Sequence, residues 1–322
     1  MSMVLSIIIR CYNEEEHIGR LLSGITQQTV KDVEIILVDS GSTDATLSIA
    51  SRYPVRVVYI SPEEFSFGRA LNIGCKAASG EYLVFISAHC WPMYKDWLEQ
   101  LTEPFNDPTV ALVYGKQRGN EKSQFSEHQI FASWFPEQSC SNQESPFCNN
   151  ANCAIRKNLW KEMPYDEELT GLEDLHWAKK AMGKGYRIVY SSKAEIVHVH
   201  EETPLRIYNR YRREAIALKA IFPQEKFTFL DFIYLSTINI IGDCIAAKRN
   251  NVLYKNTESI LIFRLMQFWG AYRGNSQREK VSPDLKRAFY YPKNLKSLRD
   301  VSKEGKGDGI IEYCSVNWLE GK

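Results

Sequence analysis

The first 110 residues alternate short β-branched runs with segments of helical spacing, and this alternation restricts the fold more than any other feature. Residues 4–10 (VLSIIIR) and 33–38 (VEIILV) are predominantly β-branched and apolar runs. Such runs belong to strands buried on both faces, as in a parallel sheet covered by helices. Between them, Ile18, Leu21, Leu22 and Ile25 keep helical spacing within 14–27. The pattern predicts further helices over 43–51, 68–78 and 94–105, and strands at 55–60, 82–86 and 110–114. Strands joined through helices make a mostly parallel sheet. Ligands of such sheets sit beyond the carboxyl ends of the strands. The polar residues that follow each run are therefore the ones that bear on function.

Three such clusters stand out. The first is Arg10-Cys11-Tyr12-Asn13-Glu14, the second Asp39-Ser40-Gly41-Ser42-Thr43-Asp44, the third Ser87-Ala88-His89-Cys90. All three fall on one sheet edge. Gly41 permits close backbone approach to a ligand, and the helix that follows turns its N-terminus toward the same place. Asp39 is suited to accept hydrogen bonds from a base or ribose. Taken alone, the second cluster reads equally as a turn and a helix cap.

With 322 residues, the chain has room for one large α/β domain with an appendage, or for two domains. Its 40 Lys+Arg balance 39 Asp+Glu, which argues against sequence-independent nucleic-acid binding. Eight cysteines are scattered without a Cys-x-x-Cys pair, so they are expected as reduced thiols in the cytoplasm rather than as a metal or redox motif. The opening residues lack the pattern of a secretory signal.

Residues 6–16 (SIIIRCYNEEE) followed by 34–46 (EIILVDSGSTDAT) resemble the opening of a family 2 glycosyltransferase of the GT-A fold. The resemblance continues through 80–92 and 147–200 and extends over about 4–215. Its nearest flavour is that of bacterial rhamnosyltransferase-like enzymes of surface-polysaccharide synthesis. It implies a Rossmann-like, mostly parallel sheet flanked by helices over residues 1–220, with a helical C-terminal extension over 221–322. It also implies inverting sugar transfer from a nucleotide-sugar to a hydroxyl of a bacterial glycan or lipid-linked glycan.

Carried over residue by residue, the resemblance puts Arg10, Tyr12, Asn13, Glu14, Asp39, Ser42, Asp44, Arg69, Asn72, Ser87 and Ala88 around the nucleotide. Glu173 and Asp174 match the family's Glu-Asp pair, in which the Asp is the general base. Asn149, Asn150 and Trp177 fall on the acceptor side. The family's Asp-x-Asp, whose second Asp binds a divalent cation, is replaced here by Ser87-Ala88-His89. Residues 196–200 (IVHVH) alternate as a strand, so His198 and His200 share a face and with His89 form a candidate site for Mn²⁺ or another transition ion. A non-catalytic nucleotide-sugar or carbohydrate-binding protein is the alternative reading, because the Asp-x-Asp is missing. A sugar nucleotidyltransferase would show a glycine-rich basic loop after the first run, and residues 10–16 hold no glycine.

Beyond the resemblance, Arg206, Arg210 and Arg213 share one face of a helix over 203–220, facing a diphosphate, anionic headgroups or solvent. Residues 227–247 have the length of a membrane span, but Asp231, Asn239 and Asp243 interrupt them. A central carboxylate costs about 3 kcal/mol on insertion, which disfavours a span. The readings left are a buried helix and a helix lying on a membrane surface, with 260–272 as its partner helix. The tail from 276 to 322 is charged, and Gly305-Lys306-Gly307 is expected to be flexible.

Overall fold

The computed structural model describes residues 5–278, 281–290, 311 and 313. Most of the tail from 276, with Gly305-Lys306-Gly307 and Cys314, lies outside them. The N-terminal half runs β1 (Leu5–Cys11), α1 (Ile18–Thr26), β2 (Val33–Asp39), α2 (Thr46–Ala50), β3 (Val55–Tyr59), α3 (Phe67–Ala77) and β4 (Tyr82–Ser87). Then come β5 (Cys90–Pro92), α4 (Trp97–Thr102), β6 (Val110–Arg118), α5 (Phe125–Trp134), β7 (Asn152–Arg156), α6 (Lys157–Glu162), α7 (Glu173–Gly183) and β8 (Arg187–His198). The chain continues with α8 (Pro204–Ile221), α9 (Phe229–Arg249), α10 (Leu253–Asn275) and α11 (Pro283–Tyr290).

The eight strands form one sheet in the order β3-β2-β1-β4-β7-β6-β8-β5. β1 to β4 without exception pair in parallel, as does β6 with β8, while β7 and β5 run antiparallel to their neighbours. The two apolar runs occupy the middle of the sheet for the expected reason. Ile7 and Ile9 of β1 face one core layer with α1 and α4, and Ile8 faces the other with α3, α6 and α7. The same alternation splits Ile35 and Leu37 from Ile36 and Val38 in β2.

Several bounds differ from expectation. The helix expected from residue 14 starts at Ile18. Asn13 is in the left-handed region (φ 53°), and the carbonyl of Glu14 accepts from the N–H groups of His17 and Ile18, so a turn precedes the helix. The helix expected over 94–105 is Trp97–Thr102, tightening into a 3₁₀ turn at Glu103–Asn106 where Pro104 interrupts it. The strand expected to end at Tyr114 continues to Arg118, because it pairs with β8 on one side.

The helical extension is tied to the sheet domain through α8 and α5. Gly270 of α10 lies so close to α8 that an added Cβ would stand 2.4 Å from the Tyr208 carbonyl oxygen. Asp243 of α9 and Arg264 of α10, both buried, meet through two hydrogen bonds of 2.7 and 2.9 Å.

Candidate active site at the strand ends

The loops after β1 and β2 are stitched into one surface. Asn13 Oδ1 accepts from the Thr43 N–H at 2.8 Å, and the Asn13 N–H donates to Ser42 Oγ at 3.0 Å. Asp44 accepts from the N–H groups of Glu15 and Thr46. Asn13, Ser42 and Asp44 therefore hold the two loops together with their own hydrogen bonds. Asp39 lies beneath, only 1% exposed. Its Oδ2 accepts from the N–H groups of Gly41 and Ser42, where Gly41 has φ 93°. Its Oδ1 is buried with no hydrogen-bond partner. An orphaned buried acceptor of this kind calls for a ligand donor. Asp39→Asn keeps an oxygen for the turn and puts a donor where Oδ1 was. It is expected to weaken nucleoside diphosphate binding by about 1.5–3 kcal/mol. Calorimetry showing unchanged affinity would remove Asp39 from the pocket.

Glu173 and Asp174 open α7, and Leu172 just before them is left-handed (φ 55°). For a branched residue this is a strained conformation, of the kind that concentrates at functional sites. The two carboxylates differ in their surroundings. Glu173 is pinned by Arg10 at 3.1 Å, and that guanidinium also lies 4.6 Å from the Phe67 ring centre. Asp174 accepts from the Asn150 N–H at 2.9 Å and from the Leu175 N–H at 2.8 Å. Burial, reinforced by the neighbouring Glu173 charge, pushes its carboxyl up to about 7; the two N–H donors pull the other way. Asn150 Nδ2 is a second buried polar atom without a partner, and Asn149 spends its Oδ1 on the Ala151 N–H.

The three histidines come together. His89 Nε2 lies 3.1 Å from His198 Nε2, and the His198 and His200 ring centres are 4.1 Å apart. Ring nitrogens of all three lie within 4.8 Å of one another. Each Nδ1 meets a side-chain oxygen: Glu14 at 2.8 Å from His89, Gln117 at 2.7 Å from His198, and Glu127 at 2.6 Å from His200. These oxygens orient the rings so that the Nε2 atoms of His89 and His198 face each other. Burial holds the His198 imidazole neutral, helped by the two neighbouring rings and Arg210. Glu14 raises His89 despite its burial. Glu127 and Gln117 did not figure in the sequence reading. Glu127 had a signal: it sits three and four residues before Ile130 and Phe131, an acid on an apolar helix face.

Two expected contacts are corrected. Asn72 does not face a nucleotide. Its amide donates to the Tyr165 carbonyl and Glu167, and its oxygen accepts from Trp160 Nε1 and the Tyr165 N–H. These bonds lock α3 to the 160–167 segment. Asn72→Ala is expected to destabilise the fold by about 2–4 kcal/mol, two buried donors being left unpaired. Donor affinity unchanged in the folded variant checks this. Trp177 is core, 1% exposed, with its indole N–H on the Met163 carbonyl, so it does not reach an acceptor. Arg69 pairs with Glu64 at the surface. Ala88 is buried, and Ser87 and Tyr12 are half-buried beside the strand ends. The arginine face of α8 is divided. Arg210 joins Glu127 and Glu202, whereas Arg213 lies 4.6 Å from the Phe67 ring centre with its Nε unpartnered.

The mostly parallel eight-stranded sheet, flanked by helices, has the GT-A fold of glycosyltransferases. A mannosyltransferase of Pyrobaculum calidifontis, solved with GDP-Man and Mn²⁺, superposes with a TM-score of 0.61 at 20% identity, over 85% of this chain and 88% of that one. Residues 6–163 match the Glycosyl transferase family 2 profile, and the chain carries a family 2 glycosyltransferase domain. It is similar to the O-antigen chain rhamnosyltransferase WbaN of Salmonella anatum, 29% identical over 58% of this chain and 62% of that protein. It is also similar to RfbN of Salmonella typhimurium, with the same description, 27% identical over 65% and 70%.

Proposed function

We propose that the protein transfers a hexosyl or deoxyhexosyl group from a nucleotide-sugar to a hydroxyl of a bacterial surface glycan, free or lipid-linked, with inversion at the anomeric carbon. The observation that carries this reading is Asp174. It is a buried carboxyl raised to about 7, held by two N–H groups, beside a second carboxylate neutralised by Arg10. A base with that value is poised to work near neutrality. Asp174 takes the acceptor's hydroxyl proton as its oxygen forms the bond to the anomeric carbon. The bond to the nucleoside diphosphate breaks on the opposite side, and the diphosphate leaves with the electron pair. Glu173 is held by Arg10 and is not needed as a nucleophile. The orphaned Asp39 Oδ1 and Asn150 Nδ2 are suited to the donor and the acceptor, respectively.

The histidine cluster fits a divalent transition ion, its Nδ1 atoms oriented by side-chain oxygens as ligating histidines require. His89, His198 and His200 would hold it. Such an ion supplies positive charge against the leaving diphosphate. The O-antigen activity named for the two Salmonella relatives supports a surface-polysaccharide acceptor. The seven described cysteines are free, which supports work in the cytoplasm. The test is incubation of the purified protein with a panel of nucleotide-sugars and oligosaccharide acceptors, followed by NMR of the product. Transfer with inverted anomeric configuration is expected. Binding without turnover of any donor would favour the non-catalytic reading, and retained configuration would refute the single displacement.

A further inference from the structure

Most of the exposed large apolar side chains among the described residues lie on α9. Leu230 is 77% exposed, Tyr234 63%, Ile241 53% and Ile245 48%, with Ile233 and Ile238 also exposed. Only 11% of the most apolar window of this helix is buried. At about 100° per residue, these six positions span an arc of roughly 140° and a length of roughly 22 Å. A patch of this kind marks an interaction site.

Of the polar residues that argue against membrane contact in the sequence, Asn239 and Asp243 lie on the far side of the helix from this arc, and Asp231 sits at its edge. Asp231 forms a capping box with Thr228 at the helix start. Asp243 is buried against Arg264. Asn239 donates to the Leu235 carbonyl within its own helix. The Asp243–Arg264 pair also ties α9 along α10, so the helix lies on the protein with one face outward and does not stand free to cross a bilayer.

The charges on this surface have one sign. From residue 232 to 257 the only acid is the buried Asp243, and Lys248, Arg249 and Lys255 are exposed. Asp231 and Glu258 bound the segment. Tyr254, in the first turn of α10, is fully exposed. An apolar arc ending in a cationic turn with an exposed tyrosine matches the layers of a bilayer surface: acyl boundary, aromatic level, anionic headgroups. A second copy fits less well. The arc is wider than the seam one partner helix covers. Symmetric pairing about the C-terminal half of α9 would bring the three cations of each copy together.

We infer that the exposed face of α9, with the α9–α10 turn, docks in the plane of an anionic lipid bilayer. The inference rests on α9 and α10 alone, so its failure and that of the transferase reading are independent.

The full-length protein is sedimented with vesicles of phosphatidylcholine alone and of phosphatidylcholine with phosphatidylglycerol. Binding to the mixed vesicles, weakened by added salt, is expected. Ile241→Ser with Ile245→Ser should reduce it by about tenfold or more. Lys248→Gln with Arg249→Gln should reduce it on the mixed vesicles by roughly tenfold or more. Both variants alter exposed positions, and an unchanged melting temperature verifies that they fold. No binding to the mixed vesicles would overturn the inference, as would equal binding by wild type and both folded variants. A dimer in ultracentrifugation that the isoleucine variant dissolves would assign the face to a second copy instead.

Discussion

Asp174→Asn will bind nucleotide-sugar as the wild type does and lose about 10²–10⁴-fold in transfer rate. The substitution keeps a carbonyl oxygen for the Asn150 N–H and removes the ability to take a proton. A folded variant keeping more than about a tenth of the turnover would contradict the general-base role. The pH profile gives an independent check. The base works only when ionised, and burial beside Glu173 lifts its carboxyl to about 7 from 3.8. Wild-type turnover should therefore fall about tenfold per pH unit below 7, and this limb should disappear from the residual activity of the variant. Unfolding does not mimic the effect through this group. A carboxyl raised in the folded state contributes its stability fully at acid pH and loses it as pH rises through about 7. Acidification thus removes activity while this residue favours the fold.

His198→Ala is expected to weaken binding of Co²⁺ or Zn²⁺ by about a hundredfold or more, and Gln117→Ala by about 10–100-fold, since Gln117 only orients the His198 ring. Calorimetry on the protein without substrate reads both, and the visible spectrum of bound Co²⁺ reports the loss of an imidazole ligand. Mg²⁺ should bind much more weakly than either ion, because it demands oxygen ligands. Full transfer activity in excess EDTA, together with no Co²⁺ uptake, would dispose of the metal site. Neutralisation of the diphosphate would then fall to cations such as Arg213, whose Nε has no partner near Phe67.

The strand ends were legible because a buried parallel strand must be apolar on both faces. The break from apolar to polar at Arg10, Asp39 and Ser87 then marks the sheet edge. The Glu-Asp pair was legible through its motif register, and the histidine pair through a period of two that runs past the end of β8 at His198. Asn72 and Trp177 were misread for one reason. Motif register gives a position along the chain, and it does not say whether the atoms there are already bonded. Asn72 spends its amide on Trp160, Tyr165 and Glu167, residues some ninety positions away. Glu127 and Gln117 escaped because their meaning depends on His200 and His198, more than seventy residues distant.

The sequence by itself determined the alternation of strands and helices from β1 to β4, the edge of the sheet that carries the chemistry, and the replacement of the metal-binding acids by Ser87-Ala88-His89. Local periodicity and motif spacing suffice for these, because each is set by residues near one another in the chain. Tertiary structure decided the rest. It separated Glu173 from Asp174 by giving one of them Arg10 and the other a buried pair of N–H donors. It converged three imidazoles and oriented each through an oxygen from β6, α5 or the loop after β1. It also turned Asp243 inward onto Arg264 and left one face of α9 largely apolar. In each case burial and partner, which long-range packing assigns, outweigh residue type in setting what a polar side chain can do.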